Sequence, residues 1–564
     1  MLENSAMFEK YNWRTRREIY MGIWSFCLGV AGAIGALMFI WLLQLCSELF
    51  IVGIGHFDET QPLTFPFLTP LYWVPVVTTL GGLISGVIVY RLAPEAEGHG
   101  TDAYIDAFHQ HDGAIRSRVP WVKALASAIT IGSGGSAGRE GPTAQICAGI
   151  AAILADRFRL ANAERRLLTV VATAAGLSAI FKSPLGSALF AVKVLYSGFS
   201  METRALYFAI LASATAYTIM GFVVGWSSIF NIQAALSLTH PMELSWYVGL
   251  GIASGIVASI IPTIFYKIRD LFRLINIPRF IKPAVGGLLL GLIAMWIPQI
   301  LGGGYQWIEL AINHQLSLTV LLILLLLKPL AMALTIGSGG SGGIFAPTLF
   351  IGAMLGALFA ELAGAVDSFS PSYASCVIIG MLALFGAAAR TPLASLVMIL
   401  EMTGEYGLVA PAAVTVVISA LVQRTLTGSL KYPTLYESQV AMSIDSPAIR
   451  REYISQMVAL ADPKGLDLPP TLLVDESIRH LSNGQTISLP DGRLMRAYSL
   501  TNTTSKDGLL ALLQQDHVLL LSIIRNGINM IPGDGVSPEE GDLVIVVGLQ
   551  ASLPASLTST PEAV

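Results

Sequence analysis

GSGGSAGREGPT at residues 132–143 and GSGGSGGIFAPT at residues 337–348 are the same phrase written twice. Eight of the twelve aligned positions are identical: 132–136, 138, 142 and 143 match 337–341, 343, 347 and 348. A second pair follows, KSPLGSALFAVK at 182–193 and RTPLASLVMILE at 390–401. The offsets are 205 and 208 residues, so both halves of the chain carry the same parts in the same order. In an apolar chain, repeats whose hydrophobic segments are broken by Gly and Pro at matching positions point to a transport site at the middle of a membrane.

Composition agrees. The 564 residues are 54% hydrophobic and 12% charged, with mean hydropathy +0.66; soluble domains are about 25% charged. LTVLLILLLLKPLAMALTI at 318–336 is close to the ~20 residues that span a bilayer, and helices of a soluble protein need a polar face. An all-α polytopic membrane protein in a lipid bilayer is expected. The net charge of −4 says little about partners, and nothing points to nucleic acid. Cys27, Cys46, Cys147 and Cys376 lie in apolar segments without CxxC spacing and read as small buried hydrophobes, with no metal site. No cleavable signal peptide is evident. Residues 1–19 read as an interfacial helix, and Arg14, Arg16 and Arg17 put the N-terminus in the cytoplasm.

The membrane domain is expected over 20–439, with repeats at about 70–226 and 283–430. Segments 121–136, 140–156, 167–181, 185–196, 347–364, 374–388 and 392–401 are short or broken. Non-helical backbone at membrane depth survives only where it is buried in protein or lines a cavity, so many short helices should start or stop inside the membrane. GxxxG-like packing does not account for Pro142 and Pro347 just after the glycine runs, where proline suits the first turn of a new helix. From 440 to 564 the chain is polar, with RREY at 451–454 and LADPKGLDLPP at 460–470, and reads as a small α/β or β-rich cytoplasmic domain. Within it, 517–548 reads as strand, Asn-Gly turn, strand, acidic loop, Gly-Asp turn, strand. This stretch resembles the TrkA-C type domain through Arg525, Gly527, Pro532, Gly541, Asp542, Leu543 and Gly548.

GREGP at 138–142 is the chemical centre. Pro142 opens a helix whose N-terminus carries about half a positive charge and unpaired N–H donors, an anion site without a full cation. GIFAP at 343–347 builds the same device from the other half, so two helix heads converge on a partly dehydrated anion. Glu140 is the odd part. Its carboxylate would fill the site when ionised and leave it when protonated, and an intramembrane carboxylate is a functional residue by default. An Arg139–Glu140 structural pair is the plainer alternative, although adjacent helix residues point apart.

GREGP, GIFAP, GGGY at 302–305 and a late tyrosine in TLYES at 434–438 together resemble the CLC family of chloride channels and chloride/proton antiporters, over about residues 15–440. The resemblance implies a CLC-type inverted-repeat fold with many short and broken helices. It also implies a homodimer in the inner or plasma membrane with both termini cytoplasmic, moving chloride and protons. It places an outer anion site on the backbone N–H groups of Arg139, Glu140 and Gly141. A central site falls on those of Ile344 and Phe345 with the Tyr436 hydroxyl, and Glu140 becomes the gate and outer proton carrier. Lys123 stands where the family often has a lysine that makes the pathway positive; a snorkelling lysine is the alternative.

Two departures matter. Gly98-His99-Gly100-Thr101-Asp102 stands where the family usually reads Gly-Ser-Gly-Ile-Pro, with the serine hydroxyl on the central anion. Either His99 donates a ring N–H to the anion and titrates near physiological pH, or it caps the helix while a backbone N–H of the loop, which includes Gly100, binds. Second, antiporters commonly carry an inner glutamate where this chain has Val194. Neighbouring Lys193 is no relay and should point to water or stay neutral. Some relatives lacking that carboxylate couple through water, so channel and exchanger both stay open. The expected function is chloride/proton exchange gated by Glu140. A passive gated chloride channel is the alternative, with fluoride or nitrate transport behind it. A cation channel lacks a TVGYG-like filter, and an enzyme lacks His/Glu metal spacing or a GxSxG elbow. No cofactor is expected beyond a regulatory ligand of the C-terminal domain, for which a nucleotide is the candidate.

Overall fold

The computed structural model describes residues 2–54, 71–230, 236–366, 370–449, 486–488, 493–501, 503–513, 518–525, 528–530, 537–549 and 553, without the side chains of residues 2–17, 444, 487–488, 493, 503–505, 507, 519, 521–522, 524, 528–530 and 549. The RREY and LADPKGLDLPP stretches, Gly527 and Pro532 lie outside the described residues. The chain divides into two compact units, Met1–Met442 and Ser443–Val564.

The first unit is helical. Its first half holds α1 (Leu2–Ser47), a π-helical stretch Glu48–Ile54, α2 (Val74–Leu92), α3 (Thr101–Gln110), α4 (Val119–Gly132), α5 (Glu140–Arg157), α6 (Asn162–Phe181), α7 (Pro184–Lys193) and α8 (Thr203–Val224). The second half holds α9 (Glu243–Leu274), α10 (Lys282–Ala294), α11 (Tyr305–Ile312), α12 (Leu318–Gly337), α13 (Phe345–Val366), α14 (Tyr373–Ala388), α15 (Pro392–Thr403) and α16 (Val409–Thr427). Among the described residues, seven helical segments are long and apolar enough to cross a bilayer, which makes this a multi-pass membrane protein. α1 runs without a break past residue 19, so the stretch read as a separate interfacial helix is continuous with the first span. Cys46, Cys147 and Cys376 are buried and free, but Cys27 is exposed on the outer face of α1, against the buried reading.

α2 to α8 recur as α10 to α16, and the packing adds one helix to each half. α1 packs on α4, α5, α6 and α8, while α9 packs on α12, α13, α14 and α16. The repeat is therefore eight helices, wider than its sequence signature. The halves touch backbone to backbone where α2 meets α10. A Cβ added at Gly82 would lie 2.3 Å from the Pro283 carbonyl oxygen, and one at Gly287, 205 residues on, 2.2 Å from that of Thr78. Only glycine permits so close an approach.

In the second unit β1 (Ile487–Ser488), β2 (Arg493–Ser499), α17 (Thr503–Leu512), β3 (Leu519–Arg525), β4 (Ile528–Met530) and β5 (Leu543–Leu549) make a sheet in the order β1-β2-β5-β3-β4, every neighbouring pair antiparallel. Its core gathers Tyr498, Leu500, Leu509, Ile523, Val544 and Val546. Arg525 at the end of β3 makes two 2.9 Å hydrogen bonds to Asp542, which also accepts from the Glu539 backbone N–H at 2.7 Å.

Candidate anion pathway

The two glycine phrases bond to each other. Gly138 N–H donates to the Gly343 carbonyl and Gly343 N–H to that of Gly138, both at 2.7 Å. This antiparallel bridge between equivalent residues is what a local two-fold axis requires. These two N–H groups join the halves and do not face an ion. The bridge brings the heads of α5 and α13 together, with Pro142 and Pro347 in their first turns. The first-turn N–H groups of each helix have no intrahelical acceptor. Arg139, Glu140 and Gly141 supply them on one side, Ile344 and Phe345 on the other. The loop at 98–100 presses on the same place: a Cβ on Gly141 would lie 2.0 Å from the His99 carbonyl oxygen.

Two loops feed this centre. Gly98-His99-Gly100 leads into α3, and Gly302-Gly303-Gly304 into α11. The last glycine of each takes a left-handed φ, +78° at Gly100 and +80° at Gly304, which a side chain resists. Each loop is held by a buried lysine. Lys123 donates to the carbonyls of Ala96 (3.0 Å) and Gly98 (2.7 Å). Lys328, 205 residues on, donates to those of Ile300 and Gly302, both at 2.8 Å. Neither lysine is exposed, so Lys123 does not snorkel. Sequence reasoning missed Lys328; its signal was the repeat offset from Lys123.

Around the centre stand the side chains. Tyr436 is buried, and its Oη, beside the Thr101 side chain, makes no close hydrogen bond among the described residues. An unmade buried bond costs about 1–3 kcal/mol, and an anion accepting from this hydroxyl would remove that cost. The His99 ring lies 5.6 Å from the Tyr436 ring and 6.1 Å from Phe265. Its Nδ1 accepts a long 3.4 Å bond from Asp102 N–H, which assigns the ring hydrogen to Nε2. This long bond is the contact that the helix-cap alternative requires. The Phe345 ring packs on Phe181 (4.4 Å) and Phe385 (3.8 Å), an apolar wall at the head of α13.

Glu140 is 1% exposed. Its Oε1 accepts from the Tyr305 hydroxyl at 2.6 Å, and its Oε2 is buried without a partner. Arg139 turns away, its guanidinium 5.4 Å over the Tyr305 ring, and among the described residues no ion pair joins it to Glu140. The structural-pair reading of Arg139 and Glu140 therefore fails. Tyr305, the last letter of GGGY, was not singled out as a site residue, because a contact across 165 positions leaves no mark in spacing.

Val194 is fully buried at the end of α7. Lys193 does not point to water: its Nζ donates to the carbonyls of Tyr196 (2.6 Å) and Gly198 (2.9 Å). The repeat equivalent of Lys193 is Glu401, which accepts from Ser183 Oγ (2.6 Å) and from the N–H groups of Leu185 (3.0 Å) and Gly186 (2.8 Å) at the head of α7. The two halves thus carry opposite charges at one repeat position.

Eight-helix halves related by a local two-fold, with two helix heads meeting beside a buried carboxyl, define a multi-pass membrane protein of inverted-repeat fold. A family model described as voltage gated chloride channel matches residues 81–424. The chain belongs to this family, the CLC family. An H(+)/Cl(-) exchange transporter, ClcA, of Salmonella arizonae is 31% identical over 377 residues, covering 65% of this chain and 78% of the relative. A candidate ClcB-like chloride channel protein of Ralstonia nicotianae is 28% identical over 375 residues, covering 66% and 86%. The crystal structure of a slow cyanobacterial Cl-/H+ antiporter superposes with a TM-score of 0.62 at 25% identity, covering 73% of this chain and 95% of that one.

Proposed function

We propose that this protein exchanges chloride for protons across the membrane, with Glu140 as the gate that both ions share. The observation that carries the reading is Glu140 itself: a buried carboxyl at the head of α5, one oxygen unpartnered, beside the meeting point of two helix heads. Ionised, it is drawn to those heads and competes with the anion. Protonated, it loses that attraction and leaves the donors to chloride. The outer anion rests on the N–H groups of Arg139, Glu140 and Gly141. The central one rests on those of Ile344 and Phe345, the Tyr436 hydroxyl and the His99 ring N–H. Relatives named as exchange transporters and antiporters support the reading.

In vesicles with opposed chloride and pH gradients, the reversal potential should depart from the chloride equilibrium value as the pH gradient grows. Glu140→Gln, which mimics the protonated gate, should stop proton movement and remove acid activation of chloride flux. A wild-type reversal potential blind to pH would overturn exchange. It would favour the second reading, a passive gated channel, for which the buried apolar Val194 speaks. Two copies are expected to associate in the inner membrane with both termini cytoplasmic, and the second unit to act as a TrkA-C-like regulatory domain with a nucleotide as first candidate ligand.

A further inference from the structure

We propose that Tyr305 is the latch of Glu140: a positioning residue whose phenol holds the carboxyl in a withdrawn place, off the helix-head donors. The proposal rests on the gate reading of Glu140. Its first support is the bond pattern. Among the described residues the Tyr305 hydroxyl, at 2.6 Å, is the one hydrogen-bond partner of Glu140, and no backbone N–H at the head of α5 or α13 reaches the carboxyl. A carboxyl sitting on those donors would accept from them; this one stands aside.

The second support is the seat. A Cβ on Gly138 would lie 2.1 Å from Glu140 Oε2 and 2.9 Å from the Ala346 Cβ, so the absence of a side chain at 138 makes the room that the carboxyl occupies. The third is how Tyr305 is placed. It opens α11 directly after the loop that Lys328 holds, lies under the Arg139 guanidinium, and is 6.2 Å from the Phe230 ring. Tyr305 is partly buried and the carboxyl it holds is enclosed. The charged and titratable groups around the carboxyl are Arg139 from its own helix head, Tyr305 from α11 and Tyr436 from the segment after α16; α13 brings Ala346, which carries no charge and whose N–H does not bond the carboxyl.

A withdrawn, protonated Glu140 therefore has a partner, and removing that partner returns the carboxyl to the helix head, where it competes with chloride. Tyr305→Phe should lower chloride flux at neutral pH roughly tenfold, equivalent to about 1.4 kcal/mol. The midpoint of acid activation should move about one pH unit lower, because more acid is needed to keep the gate withdrawn. In a Glu140→Ala background there is no carboxyl to hold, and the same substitution should change flux less than roughly twofold. Equal losses in both backgrounds would make Tyr305 structural and overturn the latch. So would a Tyr305→Phe protein with unchanged flux and midpoint. If Glu140→Ala alone keeps its acid activation, the gate reading falls and the latch with it.

Discussion

At the scale of single residues, the centre brings two unbonded polar atoms to one place. Tyr436 Oη and Glu140 Oε2 are among the buried polar atoms without a close hydrogen bond in the described residues, while the Gly138 and Gly343 N–H groups are bonded across the repeat. These two stand beside the meeting helix heads, where the proposed anion and proton would bind. Tyr436→Phe removes the hydroxyl and keeps the ring. Chloride affinity measured by titration calorimetry should fall by about 1.5–3 kcal/mol, the worth of a hydrogen bond to a charge. Identical affinity would take Tyr436 out of the site. His99 makes a separate prediction. With Nδ1 accepting from the Asp102 N–H, the ring hydrogen on Nε2 is a donor beside Tyr436. In a Glu140→Gln background, His99→Phe, which keeps a ring and removes that donor, should weaken chloride binding by about 1.5–3 kcal/mol. Unchanged chloride affinity would reduce His99 to a helix cap.

At the scale of elements, the repeat could be read from sequence because helix heads at membrane depth need glycine and proline, and those residues stand out in an apolar run. GREGP and GIFAP gave the starts of α5 and α13, and the prolines at 184 and 392 those of α7 and α15. The pairing of α1 with α9 could not be read, since those helices share packing partners but no phrase. Lys328 was readable in principle, lying one repeat offset from Lys123, but a single lysine inside LLLLKPLAM resembles an interruption more than a part. The structure makes it the support of a loop. Replacing it with methionine leaves the buried carbonyl of Ile300 without a donor, at about 1–3 kcal/mol, and takes a donor from the partly buried carbonyl of Gly302. Lys328→Met should therefore lower the unfolding temperature of the detergent-solubilised protein and, by freeing the loop before Tyr305, reduce acid-activated flux. Lys123→Met, acting on the loop before α3, should instead weaken chloride binding near His99. If Lys328→Met melts like the wild type, the loop is held by something other than its lysine.

At the scale of the whole molecule, every residue assigned to the pathway lies between His99 and Tyr436, inside the unit that ends at Met442. The second unit has its own sheet and core, closed by the Arg525–Asp542 pair. Transport should therefore survive truncation after Met442, and regulation should not. The pair offers a gentler way to the same end. Asp542 is almost fully buried, and the Arg525 guanidinium beside it holds its carboxyl below the usual carboxylate range. A group lowered in this way stabilises the fold above its unfolded value of about 3.9 and loses that contribution as pH falls through its folded value. The second unit should accordingly be indifferent to pH near neutrality and weaken only in strong acid. Asp542→Asn removes the charge that Arg525 answers, costing about 1.5–3 kcal/mol, and abolishes the acid-dependent part of the loss. In vesicles, full-length Asp542→Asn should match the truncated protein in chloride flux and in its response to nucleotide, while Glu140 gating stays intact in both. Chloride flux lost on truncation, in a protein that still inserts and melts cooperatively, would mean that the second unit takes part in transport and not only in its control.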